Sequence, residues 1–140
     1  MGNGLYYGLD GREKYFHDGT VITDSRGKRG KVVTEIGDTE YHSSLPRWSK
    51  KSEIYFKRND RDSHPIEQMR VFRARKASLD FDWGHTHKEF PEGTVHVHEW
   101  RPNNKGDFSR SKHPRFMTPE EIERYGELIR RAAPGTKLKP

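Results

Sequence analysis

The residues in this chain with the most chemistry to offer are two His-x-His pairs, His85/His87 and His96/His98, within 14 positions of each other. Imidazole titrates near neutrality, so one ring can accept a proton while another donates one. Cleavage of RNA needs that combination. A neutral ring takes the proton of the 2′-hydroxyl as its oxygen attacks phosphorus, and an imidazolium protonates the departing 5′-oxygen. A cation then steadies the charge building on the phosphorane oxygens. Lys88, Arg101, Arg110 and Lys112 flank the histidines and are candidates for that cation. His113 is a further acid–base or phosphate-binding candidate. Trp83, Trp100 and Phe90 offer rings that can stack on a base.

Two other chemistries fit the same residues. His-x-His on a strand turns both rings to one side, which suits a divalent transition metal. The metal set would be drawn from His85, His87, Glu92, His96 and His98. His85, His87 and Glu92 have the spacing of a cupin's first motif, and Pro91 to His96 echoes the second. In cupins, however, the two motifs lie on separate strands far apart, and here they overlap. The third possibility is non-catalytic, a basic sheet that grips nucleic acid through Lys and Arg. No RNA-recognition signature, zinc-finger spacing or helix-turn-helix pattern supports it. Opposed histidines favour the first chemistry, with no cofactor required.

The histidines need strands to bring them together. Leu79-Asp80-Phe81-Asp82-Trp83 alternates apolar and acidic residues, and Thr94 to Trp100 alternates again. If residues 88–93 close a hairpin, His87 faces Thr94, His85 faces His96, Trp83 faces His98 and Phe81 faces Trp100. All four imidazoles then share one side with the two indoles. A one-residue slip would move His96 and His98 to the other side.

The remaining elements form a frame around that hairpin. Glu13 to Thr23 with Asp18-Gly19 at its centre, and Lys31 to His42 around Gly37-Asp38, each read as a two-residue hairpin. Between them Ser25-Arg26-Gly27-Lys28-Arg29-Gly30 reads as a mobile basic connection. Glu53 to Lys57 reads as a strand, and Gln68 to Lys76 fits a strand or a short helix, with the strand preferred. Thr118-Pro119-Glu120-Glu121 is a capping box, and Ile122, Tyr125, Ile129 and Ala132 follow on one helical face until Pro134-Gly135. The expected architecture is α+β: a mainly antiparallel twisted sheet built from hairpins, with a C-terminal helix packed on it.

Composition sets the outer bounds. The 140 residues suit a single domain. There is no cysteine, hence no disulfide, thiolate metal site or thiol nucleophile. No apolar run is long enough for a membrane helix, so no membrane anchor is expected. Lys and Arg total 27 against 21 Asp and Glu, a net charge of +6, which draws the chain to polyanions.

Residues 79–134 resemble the C-terminal toxin domains of bacterial polymorphic toxins. The likeness lies in the strand Gly-Thr-Val-His-Val-His-Glu-Trp, the basic link Arg-x-Ser-Lys-His-Pro-Arg-Phe, and the closing Met-Thr-Pro-Glu-Glu-Ile helix. It implies an RNase-type nuclease module of a longer protein, secreted or delivered from a bacterium. Such a toxin acts on RNA in the cytoplasm of a target cell, and a cognate immunity protein protects its producer.

Overall fold

The computed structural model describes residues 3–7, 13–35, 45, 47–49, 53–58, 66–84 and 89–140. Eight strands form one sheet in chain order: β1 (Asn3–Tyr7), β2 (Glu13–Thr23), β3 (Arg29–Glu35), β4 (Ile54–Arg58), β5 (Ile66–Arg73), β6 (Lys76–Asp82), β7 (His96–Pro102) and β8 (Phe108–Arg110). Every neighbouring pair is antiparallel except β3 and β4, which run parallel. Among the described residues one helix, α1 (Pro119–Ala132), follows the last strand. The α+β expectation therefore holds.

Alternation along the strands divides the apolar residues between two faces. On one face Val32, Phe56, Met69, Phe81 and Val97 meet Tyr125, Leu128 and Ile129 of α1. The other face carries a smaller cluster of Val33, Leu45, Tyr55, Phe72, Ala77 and Phe108. The helix starts where the capping box requires. Thr118 accepts from the Glu121 amide at 3.1 Å, and the Glu121 carboxylate accepts from the Thr118 amide at 2.9 Å. Its acidic first turn and basic last turn both oppose the dipole.

Two local expectations fail. Asp18-Gly19 does not turn the chain. Gly19 has φ 94° within the unbroken strand β2, where the register shifts between His17 and Val21. A left-handed glycine serves a β-bulge as well as a hairpin turn, and here it bends one long strand. The reversal comes later, in the segment read as a mobile connection. Asp24 Oδ1 accepts from the amides of Arg26 and Lys28, both at 2.9 Å. The turn is also tied to α1, because the Ser25 hydroxyl donates to Glu127 at 2.5 Å. The hairpin expected around Gly37-Asp38 lies outside the described residues. Strand β5 ends at Arg73, short of the expected Lys76, because Ala74 and Arg75 make a turn into β6.

Since α1 covers the larger core, its cap supports the whole fold. Thr118→Ala should cost about 1 kcal/mol. Urea denaturation followed by circular dichroism measures this, and an unchanged midpoint would show that the cap contributes nothing.

Candidate functional site

The hairpin that carries the histidines has a different register from the expected one. Asp80 pairs with His98, Phe81 with Val97 and Asp82 with His96. The reason is apolar matching. Phe81 and Trp83 must share the helix-covered face with Val95 and Val97, all of which join the same core. Parity then sends His96 and His98 to the opposite face, beside Asp80 and Asp82. Strand β6 ends at Asp82 and β7 begins at His96, whereas the expected hairpin closes over residues 88–93. His85, His87 and Lys88 lie outside the described residues.

Four strands contribute to what His96 and His98 meet. Arg70 of β5 is fully buried and grips the buried Asp80 of β6 with two bonds, Nε–Oδ1 at 2.5 Å and Nη2–Oδ2 at 2.8 Å. A further Arg70 nitrogen donates to the Leu45 carbonyl. Arg110 of β8 bridges the two acids, with Nε 3.1 Å from Asp80 Oδ2 and an Nη2 bond to Asp82 Oδ2. Gln68 Nε2 donates to Asp82 Oδ1 at 2.8 Å. Two guanidinium groups thus lie against two buried acids, and Arg110 keeps part of its side chain exposed.

The histidines complete the cluster. His96 Nε2 and His98 Nε2 each lie 3.9 Å from Asp82 Oδ2. The Nδ1 of His98 is 2.8 Å from the Ser111 carbonyl, which can only accept. Nδ1 therefore carries a proton, and in the neutral ring the lone pair sits on Nε2, towards Asp82. Burial, aided by the charge of Arg110, lowers the His98 pKa below its usual 6.5, so the ring is neutral at pH 7. Asp82 moves the other way. Burial and the neighbouring Asp80 charge raise its pKa, while Arg110, Gln68 and His98 oppose the rise. An imidazole that resists protonation thus lies 3.9 Å from a carboxyl group that resists ionisation.

Access differs within the cluster. The His96 side chain is 1% exposed, that of His98 9% and that of Arg110 34%. Phe90 is also buried, tilted against His96 at 5.3 Å and Phe116 at 4.6 Å. Arg110 is thus the most open member of the cluster, and His96 is enclosed.

The other sequence candidates scatter. Trp83 is buried in the core and donates from Nε1 to the Ile66 carbonyl at 2.8 Å, so it presents no free face to a base. Trp100 is half-buried, with Arg70 at 4.8 Å and Arg47 at 5.6 Å over its ring. Arg101 is exposed and pairs with Glu99 at 3.1 Å. Lys112 and His113 are exposed, beyond the half-buried Ser111. Glu92 is exposed on a turn. Among the described residues, the group whose ligand atoms lie within 4.8 Å of one another is Asp82, His96 and His98, with Asp82 in the place expected for Glu92. Asp82, Asp80, Arg70 and Gln68 escape a reading that takes alternating acids for a solvent face. A signal was present in adjacent strands. Gln-x-Arg in β5, Asp-x-Asp in β6 and His-x-His in β7 are complementary polar pairs with one spacing.

Removing one member of a buried ion pair strands its partner. Asp80→Asn should therefore cost about 3–5 kcal/mol through Arg70, whereas Arg101→Ala, at an exposed pair, should cost under about 1 kcal/mol. Equal urea midpoints for the two variants would contradict the buried-pair account. Comparison with family models, curated proteins and solved structures gives no match to this chain, so its reading rests on its own geometry.

Proposed function

We propose that the chain is an endoribonuclease that works through histidine and arginine side chains, with His98 as general base and Arg110 as the phosphate-binding cation. The observation that carries this reading is the fixed tautomer of His98. Its Nδ1 is held by the Ser111 carbonyl, and its Nε2 lone pair stands 3.9 Å from Asp82 Oδ2. In the proposed step Nε2 takes the 2′-hydroxyl proton, the 2′-oxygen bonds to phosphorus, and the bond from phosphorus to the 5′-oxygen breaks. Asp82 stabilises the imidazolium so formed, and Arg110 meets the charge on the non-bridging oxygens. His85 and His87 are the candidates for the acid that protonates the 5′-oxygen. His96 is too enclosed for contact with substrate and becomes a positioning residue beside Asp82.

This assignment replaces the opposed pair His85 and His96 as the centre of the chemistry. RNA as substrate is supported by the net charge of +6 and by the base–cation arrangement. A toxin role, with delivery into a target cell and a cognate immunity protein, is supported by the resemblance of residues 79–134 alone.

The test is cleavage of a single-stranded RNA by the purified chain. His98→Ala and Arg110→Ala should each lower kcat/KM at least 100-fold with the fold retained by circular dichroism. A 2′-deoxy substrate should resist. The base must be neutral to act, so the rate should rise with pH through the His98 pKa, and that acidic limb should lie below 6.5. Full activity in His98→Ala, or a limb above 6.5, would discard the assignment.

One observation favours a second reading. The ligand atoms of Asp82, His96 and His98 lie within 4.8 Å of one another, and a fixed Nδ1 donor is what a metal-bound histidine needs. A tetrahedral site with bonds of about 2.0–2.2 Å would have to draw them closer. Stoichiometric metal in the purified chain, with activity abolished by a chelator, would select this reading over the first.

A further inference from the structure

The turn between β5 and β6 has an unusual backbone and an unusual surface. Ala74 has φ 51° and Arg75 has φ 68°, left-handed values at two consecutive residues that are not glycine. Each costs roughly 1–2 kcal/mol in an L-residue, and such strain gathers at functional positions. Residues 47–49 hold the turn in place. The Ser49 amide donates to the Arg75 carbonyl at 3.0 Å, and the Ala77 amide donates to the Arg47 carbonyl at 2.9 Å.

Between those two bonds sits Trp48, 44% exposed. The indole is not loose, because Phe108 packs edge-on against it at 5.0 Å and 90°. The Lys76 ammonium lies 5.5 Å from the ring centre. Arg73, Arg75 and Lys76 are all exposed, and none of the three makes an ion pair among the described residues. A cleft of about 660 Å³ opens beside the turn; Arg73, Arg75 and Arg124 line it together with Glu53, Glu120 and Glu121, so its charge is mixed.

We infer that Trp48 and the β5–β6 turn form a binding surface for single-stranded nucleic acid, with a base stacked on the indole and neighbouring phosphates on Arg73, Arg75 and Lys76. An exposed ring among cations that make no ion pair among the described residues is the arrangement that takes a flexible strand without reading its sequence. A duplex keeps its bases stacked inside and cannot use the ring. From the proposed function this inference takes only the class of substrate. It also supplies what the buried Trp83 and half-buried Trp100 cannot, a tryptophan that is exposed.

The test is fluorescence anisotropy of a labelled single-stranded 2′-deoxy oligonucleotide titrated with the intact chain. The missing 2′-hydroxyl separates binding from cleavage, so the surface can be confirmed even if no RNA is cut. Trp48→Ala should weaken binding about tenfold, and Trp48→Phe should retain most of the affinity. Changing Arg75 and Lys76 together to Glu should flatten the dependence of log Kd on log salt by one to two units. Unaltered affinity in Trp48→Ala would overturn the inference. So would an unaltered salt slope in the double variant, or equally tight binding of a duplex of the same length.

Discussion

Arg70 and Asp80 are both fully buried and are bonded to each other twice. Taking two charges out of water costs several kcal/mol per ion, and only close geometry with satisfied lone pairs offsets that cost. The pair sits in the middle of the sheet, on directly opposed positions of β5 and β6. Sliding either strand would separate the charges and leave both buried. The ion pair therefore fixes this register more firmly than the apolar residues alone, which a two-residue slip would keep on their own face. Arg110 extends the same constraint to β8, because it must reach both Asp80 and Asp82. The position of the histidines on β7, between β6 and β8, follows from those two anchors.

The elements with strong local rules were legible in the sequence. Helix α1 is set by a cap, a dipole pattern and one apolar stripe, all contained within Thr118 to Gly135. The alternation of β6 and β7 was equally plain. What failed was pairing, which no local rule determines. The register that set Trp83 opposite His98 rested on a loop confined to residues 88–93. The core instead demanded Val97 opposite Phe81, and a single parity change moved every histidine of β7 to the other face. Gly19 failed for a related reason, since its left-handed φ fits a bulge and a turn alike. Asp82 was hidden by the assumption that an acid on an alternating strand faces water. That holds for a sheet with one covered face, and here both faces are covered.

The charge inventory of the cluster bears on the chemistry it can support. Asp80 and Asp82 lie against Arg70 and Arg110, and burial lowers the His98 pKa. Asp82 Oδ2 already accepts from Arg110, and Oδ1 accepts from Gln68. A dication entering between Asp82 and the two histidines would add two charges to a desolvated group, and would have to displace the guanidinium to gain the carboxylate. Moving a proton onto His98 adds one charge, transiently, beside an acceptor already in place. Arg110 also holds about a third of its side-chain surface open, so it can answer a phosphate without leaving Asp82. This charge inventory supports the proposed proton transfer beside an arginine.

The cluster and the exposed indole are joined by a continuous set of contacts. The Arg70 guanidinium lies 4.8 Å from the centre of the Trp100 ring, Trp100 packs on Phe108 at 5.6 Å, and Phe108 packs on Trp48 at 5.0 Å. Each link is a side chain wedged by its neighbours, so the ring of Trp48 is set, through Trp100, by the same guanidinium that holds Asp80. A change in Arg70 would then disturb both the electrostatics around His98 and the orientation of the stacking surface. The buried Arg70 accordingly has two tasks, which a hydrophobic replacement of equal volume could not share: it balances the charge of Asp80, and its flat cationic face supports the indole next in line.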